Sequence, residues 1–133
     1  MPERVVLAVD EGTTNSKAVL IDRKGGIVAR GSAPVPIAHP RSGWVEQDAN
    51  EIWAATLAAV RECLSGRSGD EIAALGISNQ RESVLIWDRQ TGEPLGPVIS
   101  WQCRRTASEC ATLRDAGHEA DVIARTGLPI DPL

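Results

Sequence analysis

The sequence contains no phenylalanine and no tyrosine, and four tryptophans are its only aromatic residues. A core must then be assembled from Val, Ile, Leu and Ala, and a Trp beside a polar motif becomes a candidate for something other than packing. No apolar run is long enough to cross a bilayer, and Pro2-Glu3-Arg4 leads directly into a strand-like segment without a secretory hydrophobic region. No membrane partner is therefore expected, and a cytoplasmic location is. Cys63, Cys103 and Cys110 form an odd set without CxxC spacing, far in sequence from His39 and His118. That pattern suggests neither zinc nor a disulfide framework, but reduced structural thiols. Basic residues are in deficit: a net charge of -4 and a pI near 5.2 leave no electrostatic footprint for nucleic acid. The Arg104-Arg105 pair reads as the solvated start of a helix. A Walker loop and a GxGxxG fingerprint are both missing, which removes the main support for a Rossmann domain. There is no internal repeat and no low-complexity stretch.

Against these absences stand 133 residues that are 42% hydrophobic and 24% charged, ordinary values for one packed domain. Arg4–Asp10 and Lys17–Asp22 are short β-branched runs separated by a segment of turn composition, Glu11 to Ser16. Arg23-Lys24-Gly25-Gly26 is a second turn signal. It is followed by a strand over Ile27–Ile37, whose Pro34 and Pro36 confine it to an edge. Three antiparallel strands in a meander result. Asp48 with Glu51 predicts an N-cap and its capping-box partner, followed by Ile52, Trp53, Thr56, Leu57, Val60, Cys63 and Leu64 at helical spacing. Gly66 and Gly69 close that helix. Ile72–Ser78 returns as a strand, parallel to the first sheet by a right-handed crossover. Ser83–Asp88 and Pro97–Trp101 predict two further strands joined by a turn-rich hairpin, and helices are expected from Arg104 to Asp115 and from His118 to Arg125. Trp44 and Trp53 are expected to pack, Trp53 on the helix's apolar face, and Cys103 is not expected to act as a nucleophile.

Two polar clusters interrupt this pattern. In Asp10-Glu11-Gly12-Thr13-Thr14, at a strand end, Gly12 allows a tight turn and close approach, so that consecutive N–H groups can face phosphate oxygens. Thr13 and Thr14 add hydroxyls, and Asp10 can hold Mg²⁺ directly or through water. An ordinary hairpin, with Asp and Gly chosen for turn geometry, is the alternative. In Ser78-Asn79-Gln80-Arg81-Glu82-Ser83, polar side chains follow the carboxyl end of a parallel strand, where α/β sheets commonly bind ligands. Arg81 offers a fork of donors and Glu82 offers acceptors, a pair suited to a molecule made of hydroxyls; a surface ion pair in a turn is the alternative.

The strand, Gly-Thr turn, strand and Lys17 together resemble the first phosphate motif of the actin and hexokinase superfamily. DEGTTNSKAVLID, GWVEQDANEIW, GISNQRES, SWQCRRT and RTGLPIDP occur in the order seen in glycerol kinases, so nearly the whole chain resembles the FGGY family of carbohydrate kinases. The resemblance implies an α/β, ribonuclease-H-like half-domain: a three-stranded antiparallel meander plus a parallel strand reached by a crossover helix. It implies that residues 1–133 are the N-terminal part of the first kinase domain, with the rest of that domain and a second one absent. The implied activity is ATP- and Mg²⁺-dependent phosphorylation of a small polyol or sugar. A non-catalytic polyol- or nucleotide-binding module derived from such a kinase is the alternative, and an actin-like ATPase sharing only the Gly-Thr hairpin is a third. By resemblance, Asp10 belongs to the metal and phosphate site, Gly12, Thr13 and Thr14 to the phosphate turn, and Lys17 replaces a basic residue nearby. Arg81 and Glu82 hydrogen-bond polyol hydroxyls, and Trp101 packs on the carbon skeleton. The catalytic base lies in a later segment, so the isolated chain is expected to be inactive, and a homo-oligomer is expected of the full-length protein. Two departures bear on the ligands, the first adding a negative charge near the expected nucleotide phosphates and the second concerning the substrate. Glu11 stands where glycerol kinases usually have Gln, and Leu133 stands where a substrate-contacting Tyr is common, which opens the choice to other polyols and sugars.

Overall fold

A computed structural model of the chain describes residues 4–67 and 72–132; Gly69 and Leu133 lie outside them. The chain starts with an antiparallel meander of β1 (Val5–Glu11), β2 (Asn15–Ile21) and β3 (Ile27–Pro34). Alternation decides its faces. Val5, Leu7 and Val9 of β1 and Ser16, Ala18 and Leu20 of β2 are buried on one side, and Val6, Ala8, Asp10 and Lys17 look away from it. The β2–β3 turn is set by Asp22, whose Oδ1 accepts hydrogen bonds from the Lys24 and Gly26 N–H groups, both at 2.8 Å. The third strand ends at Pro34, earlier than its composition suggests. Beyond it, the Val35 N–H still donates to the Thr14 carbonyl at 2.9 Å, a last bond in the β2–β3 register.

After a two-residue strand β4 (Glu46–Gln47), helix α1 (Ala49–Cys63) crosses the buried face. Asp48 caps it by accepting from the Asn50 N–H at 2.7 Å. The expected capping box is not closed, because Asp48 uses the second residue of the helix as its donor; Glu51 still favours the positive helix end by charge. The helix lies over β2 and β3. Ala59 and Cys63 complete a core with Val5, Leu7, Val9, Ala18 and Leu20, and the Ser16 and Thr56 hydroxyls meet at 2.9 Å. The close seating depends on Gly31: a Cβ there would run into the Ala59 carbonyl oxygen and stand 2.7 Å from the Cys63 nitrogen. Trp53 does not join the core. It is 61% exposed, because the small residues Ala55 and Ala59 take the buried stripe and the bulky indole falls on the helix flank.

The crossover ends in β5 (Ile72–Asn79), parallel to β1, which completes the sheet order β3-β2-β1-β5. Since α1 sits over β2 and β3, the apolar β5 residues on the helix side stay open, Ile77 at 72% exposure. The predicted strand over Ser83–Asp88 does not form, and only Val98–Ile99 of the later one does, as β6. β6 pairs with β4, and the 83–97 segment adds single bridges, Val84 to Ile99 and Trp87 to Pro94. Val84, Ile86 and Leu95 of this segment remain exposed, so little burial supports a continuous ladder there. Two short helices follow, α2 (Ala107–Asp115) and α3 (Glu119–Thr126), the latter ended by left-handed Gly127. α2 starts later than expected because the Arg104 N–H donates to the Gly43 carbonyl at 2.7 Å. No helix among the described residues is long and apolar enough to cross a membrane.

Because the obstruction at Gly31 is helix backbone, which cannot rotate away, Gly31→Ala is expected to lower the unfolding free energy by about 1 to 3 kcal/mol or more, as overpacked cores do. Urea unfolding of the two proteins side by side measures it.

Candidate active site

The pairing of β1 with β5 sets Asp10 beside Ser78 and Glu11 beside Asn79. Parallel strands end on the same side, so the two polar clusters emerge together. Between them lies an open cavity of about 500 Å³ lined by Asp10, Gly12, Thr13, Asn79, Gln80, Arg81, Glu82 and Trp101. The other expected site residues fall outside its lining. Thr14 is exposed at the turn, where its carbonyl receives Val35. Lys17 is Asp10's cross-strand neighbour and lines an adjoining hollow with Asp10, Gly76, Ile77 and Ser78.

The turn works differently from the sequence expectation at one point. The Gly12 N–H is already taken, donating to the Asn15 carbonyl at 3.1 Å. Gly12 is required because a Cβ would stand 2.8 Å from that carbonyl oxygen. The donors left over are the N–H groups of Thr13 and Thr14, which have no hydrogen-bond partner among the described residues. The side chains of Asp10, Arg81 and Glu82 likewise make no hydrogen bond or ion pair among the described residues, and all three residues are exposed. Glu82 is the one residue other than Gly, among those described, with positive φ, at +64°. A glutamate in the left-handed region is strained, and such strain gathers at ligand sites. No group of three or more His, Cys, Asp or Glu side chains gathers among the described residues. Asp10 and Glu82 are the carboxylates of the cavity lining, and so small a set suits Mg²⁺ held mainly by phosphate oxygens and water.

Behind the cavity wall lies hydrogen bonding that no motif announced. Trp101 is placed by its indole Nε1–H, which donates to the Thr13 hydroxyl at 2.8 Å, and by its backbone N–H, which donates to Ser83 Oγ at 3.1 Å. Gln80 is held by Glu11, Gln47 and Ser83. Burial pushes the Glu11 carboxyl above its ordinary value, opposed by the Gln80 hydrogen bonds and assisted by the nearby Asp10 charge. Arg105 is no solvated helix start. Its guanidinium lies 3.9 Å from the Trp44 ring centroid, donates to Glu46 Oε1 at 2.7 Å and to Cys103 Sγ at 2.9 Å, and anchors the loop behind Trp101. Burial alone would raise the Cys103 thiol, but Arg105 and neighbouring backbone groups bring it below its ordinary value. The thiol is buried, which keeps it structural.

An antiparallel meander with a parallel strand added through a crossover helix defines a domain of the actin and hexokinase type. The family model for the FGGY carbohydrate kinases, N-terminal domain, matches residues 5–133, and the chain belongs to that family. It is 50% identical over 131 residues to a glycerol kinase of Ectopseudomonas mendocina, covering 97% of this chain and 26% of that protein. It is 47% identical over 129 residues to an apulose kinase of Pectobacterium atrosepticum, with the same coverage. Among solved structures, Plasmodium falciparum glycerol kinase with ADP superposes with a TM-score of 0.86 at 28% identity, over 97% of this chain and 26% of that one. Gluconate kinase from Lactobacillus acidophilus gives 0.88 at 27%, over 98% and 26%. The chain spans about a quarter of the length of the relatives it matches.

Because its folded value is raised, Glu11 favours the native state most when protonated, below its ordinary 4.5, and that contribution is lost as pH rises through the higher folded value. Glu11→Gln is therefore expected to be more stable than the parent at pH 7, with the difference shrinking as pH falls through the raised folded value and gone below 4.5. Denaturant titrations at several pH values check the sign.

Proposed function

We propose that this chain is the N-terminal part of the first domain of an ATP-dependent carbohydrate kinase that phosphorylates a hydroxyl of a small polyol or sugar. The observation that carries this reading is the convergence of the Asp10–Thr13 turn and the Arg81-Glu82-Trp101 cluster on one cavity. The names of the relatives, glycerol kinase and apulose kinase, support the same reaction class and leave the substrate between a polyol and a sugar.

The residues divide the work by chemistry. Asp10 would hold Mg²⁺, and the N–H groups of Thr13 and Thr14 with the Thr13 hydroxyl would hold phosphate oxygens. Bound MgATP supplies the transferable phosphoryl group and neutralises its charge. Arg81 donates to and Glu82 accepts from substrate hydroxyls, while the indole face of Trp101 covers the C–H side. Holding the hydroxyl and the phosphate end at one edge converts an encounter into a positioned reaction, the largest part of catalysis in this class. The base for the hydroxyl proton is assigned to a part of the protein beyond these residues.

An ATP-coupled assay of the full-length protein on glycerol, other short polyols and ketoses should show turnover with at least one, and its absence on all of them would overturn the reading. In the active protein, Arg81→Ala is expected to lower kcat/KM for that substrate at least about tenfold, since a hydrogen bond to a charged group contributes roughly 1.5 to 3 kcal/mol, with the KM for ATP nearly unchanged.

A further inference from the structure

Gln47 lies outside the cavity lining, is 2% exposed, and sits on the short strand β4. Its side-chain nitrogen donates to the carbonyls of Thr13 at 2.8 Å and Pro36 at 3.3 Å, and its Oε1 accepts from Gln80 Nε2 at 3.0 Å. The orientation of the amide follows from its partners, since two backbone carbonyls can only accept. Gln80 Nε2 spends its other hydrogen on Glu11 Oε1 at 3.1 Å, and Gln80 Oε1 accepts from the Ser83 hydroxyl at 3.0 Å. Ser83 Oγ accepts the Trp101 N–H, and the Trp101 indole returns to the Thr13 hydroxyl. The bonds close a ring through Thr13, Gln47, Gln80, Ser83 and Trp101. One consequence is directional: the indole N–H can only donate, so the Thr13 oxygen accepts and its own hydrogen points elsewhere, available to a phosphate oxygen.

We infer that Gln47 is a positioning residue of the site: through Thr13 and Gln80 it holds the phosphate turn and the Arg81-Glu82 loop in one fixed relation. This rests on the proposed kinase reading and deepens it. Arg81 touches one ligand, whereas the ring supports both binding loops. Opening it therefore weakens both ligands, while a merely structural defect lowers the active fraction and leaves the KM values of the surviving protein alone.

The test is steady-state kinetics of the full-length protein carrying Gln47→Leu, Ser83→Ala or both, with the polyol or sugar and MgATP varied in turn. Each single variant should lose roughly ten- to a hundredfold in kcat/KM, the effect of small displacements in a positioned site. KM should rise for both ligands, unlike in Arg81→Ala. The double variant should be no worse than the worse single one, because either change opens the same ring. Should Gln47→Leu fail to fold, Ser83→Ala carries the test alone, being a half-buried loop hydroxyl whose loss leaves the core intact. Unchanged KM values, a rise for one ligand only, or additive losses would overturn the inference while the kinase reading stands. An unmodified protein without turnover would overturn both.

Discussion

The parallel pairing of β1 with β5 is the constraint on which the site depends. An antiparallel partner would have sent the second polar cluster to the far end of the sheet. A parallel one needs a crossover long enough to return the chain, and α1 supplies it. The register places Asp10 against Ser78. The two polar clusters therefore meet across one cavity, although about seventy residues separate them in the chain.

That pairing holds only if α1 can sit close to the sheet it crosses. Gly31 permits the approach, Ala55 and Ala59 keep the helix stripe thin, and Leu20, Ala18 and Leu7 fill the layer between. A core without Phe or Tyr is suited to this arrangement, since small and branched aliphatic side chains pack a short helix-to-sheet distance without voids. The large side chains go elsewhere: Trp101 to the cavity, Trp44 beneath the Arg105 guanidinium, and Trp53 to the helix flank.

Rigidity at the cavity comes from polar groups. Buried Gln47 and half-buried Gln80 and Ser83 are joined by hydrogen bonds, and a satisfied network holds its members to one geometry. The ion pair of Arg105 with Glu46, whose side chains are only 18% and 17% exposed, braces the segment that presents Trp101. Against this fixed frame Glu82 is held with positive φ, a conformation that survives only where its surroundings determine it.

Local chemistry made much of this legible in one dimension. The strand alternation of Arg4–Asp10 and Lys17–Asp22, the Asp48 cap, the helical spacing after it and the polar clusters at Asp10–Thr14 and Ser78–Ser83 are all encoded by neighbours within a few residues, as is the order of motifs shared with the FGGY family. Contacts between distant segments were not. The pattern of 83–88 reads as a strand, but its apolar side chains stay exposed and it makes only single bridges; Trp53 fits a helical stripe, but smaller residues occupy the core side; Arg104-Arg105 reads as solvated, but Trp44 and Glu46 enclose Arg105. Gln47 is an unremarkable polar residue before a helix until Thr13 and Gln80 are brought within reach of its amide. Side-chain type and periodicity fix which chemical groups the protein owns and which strands and helix carry them. Which groups share a cavity and which hold one another in place are matters for the folded chain, because a hydrogen bond or a packing contact depends on distances that the fold alone sets.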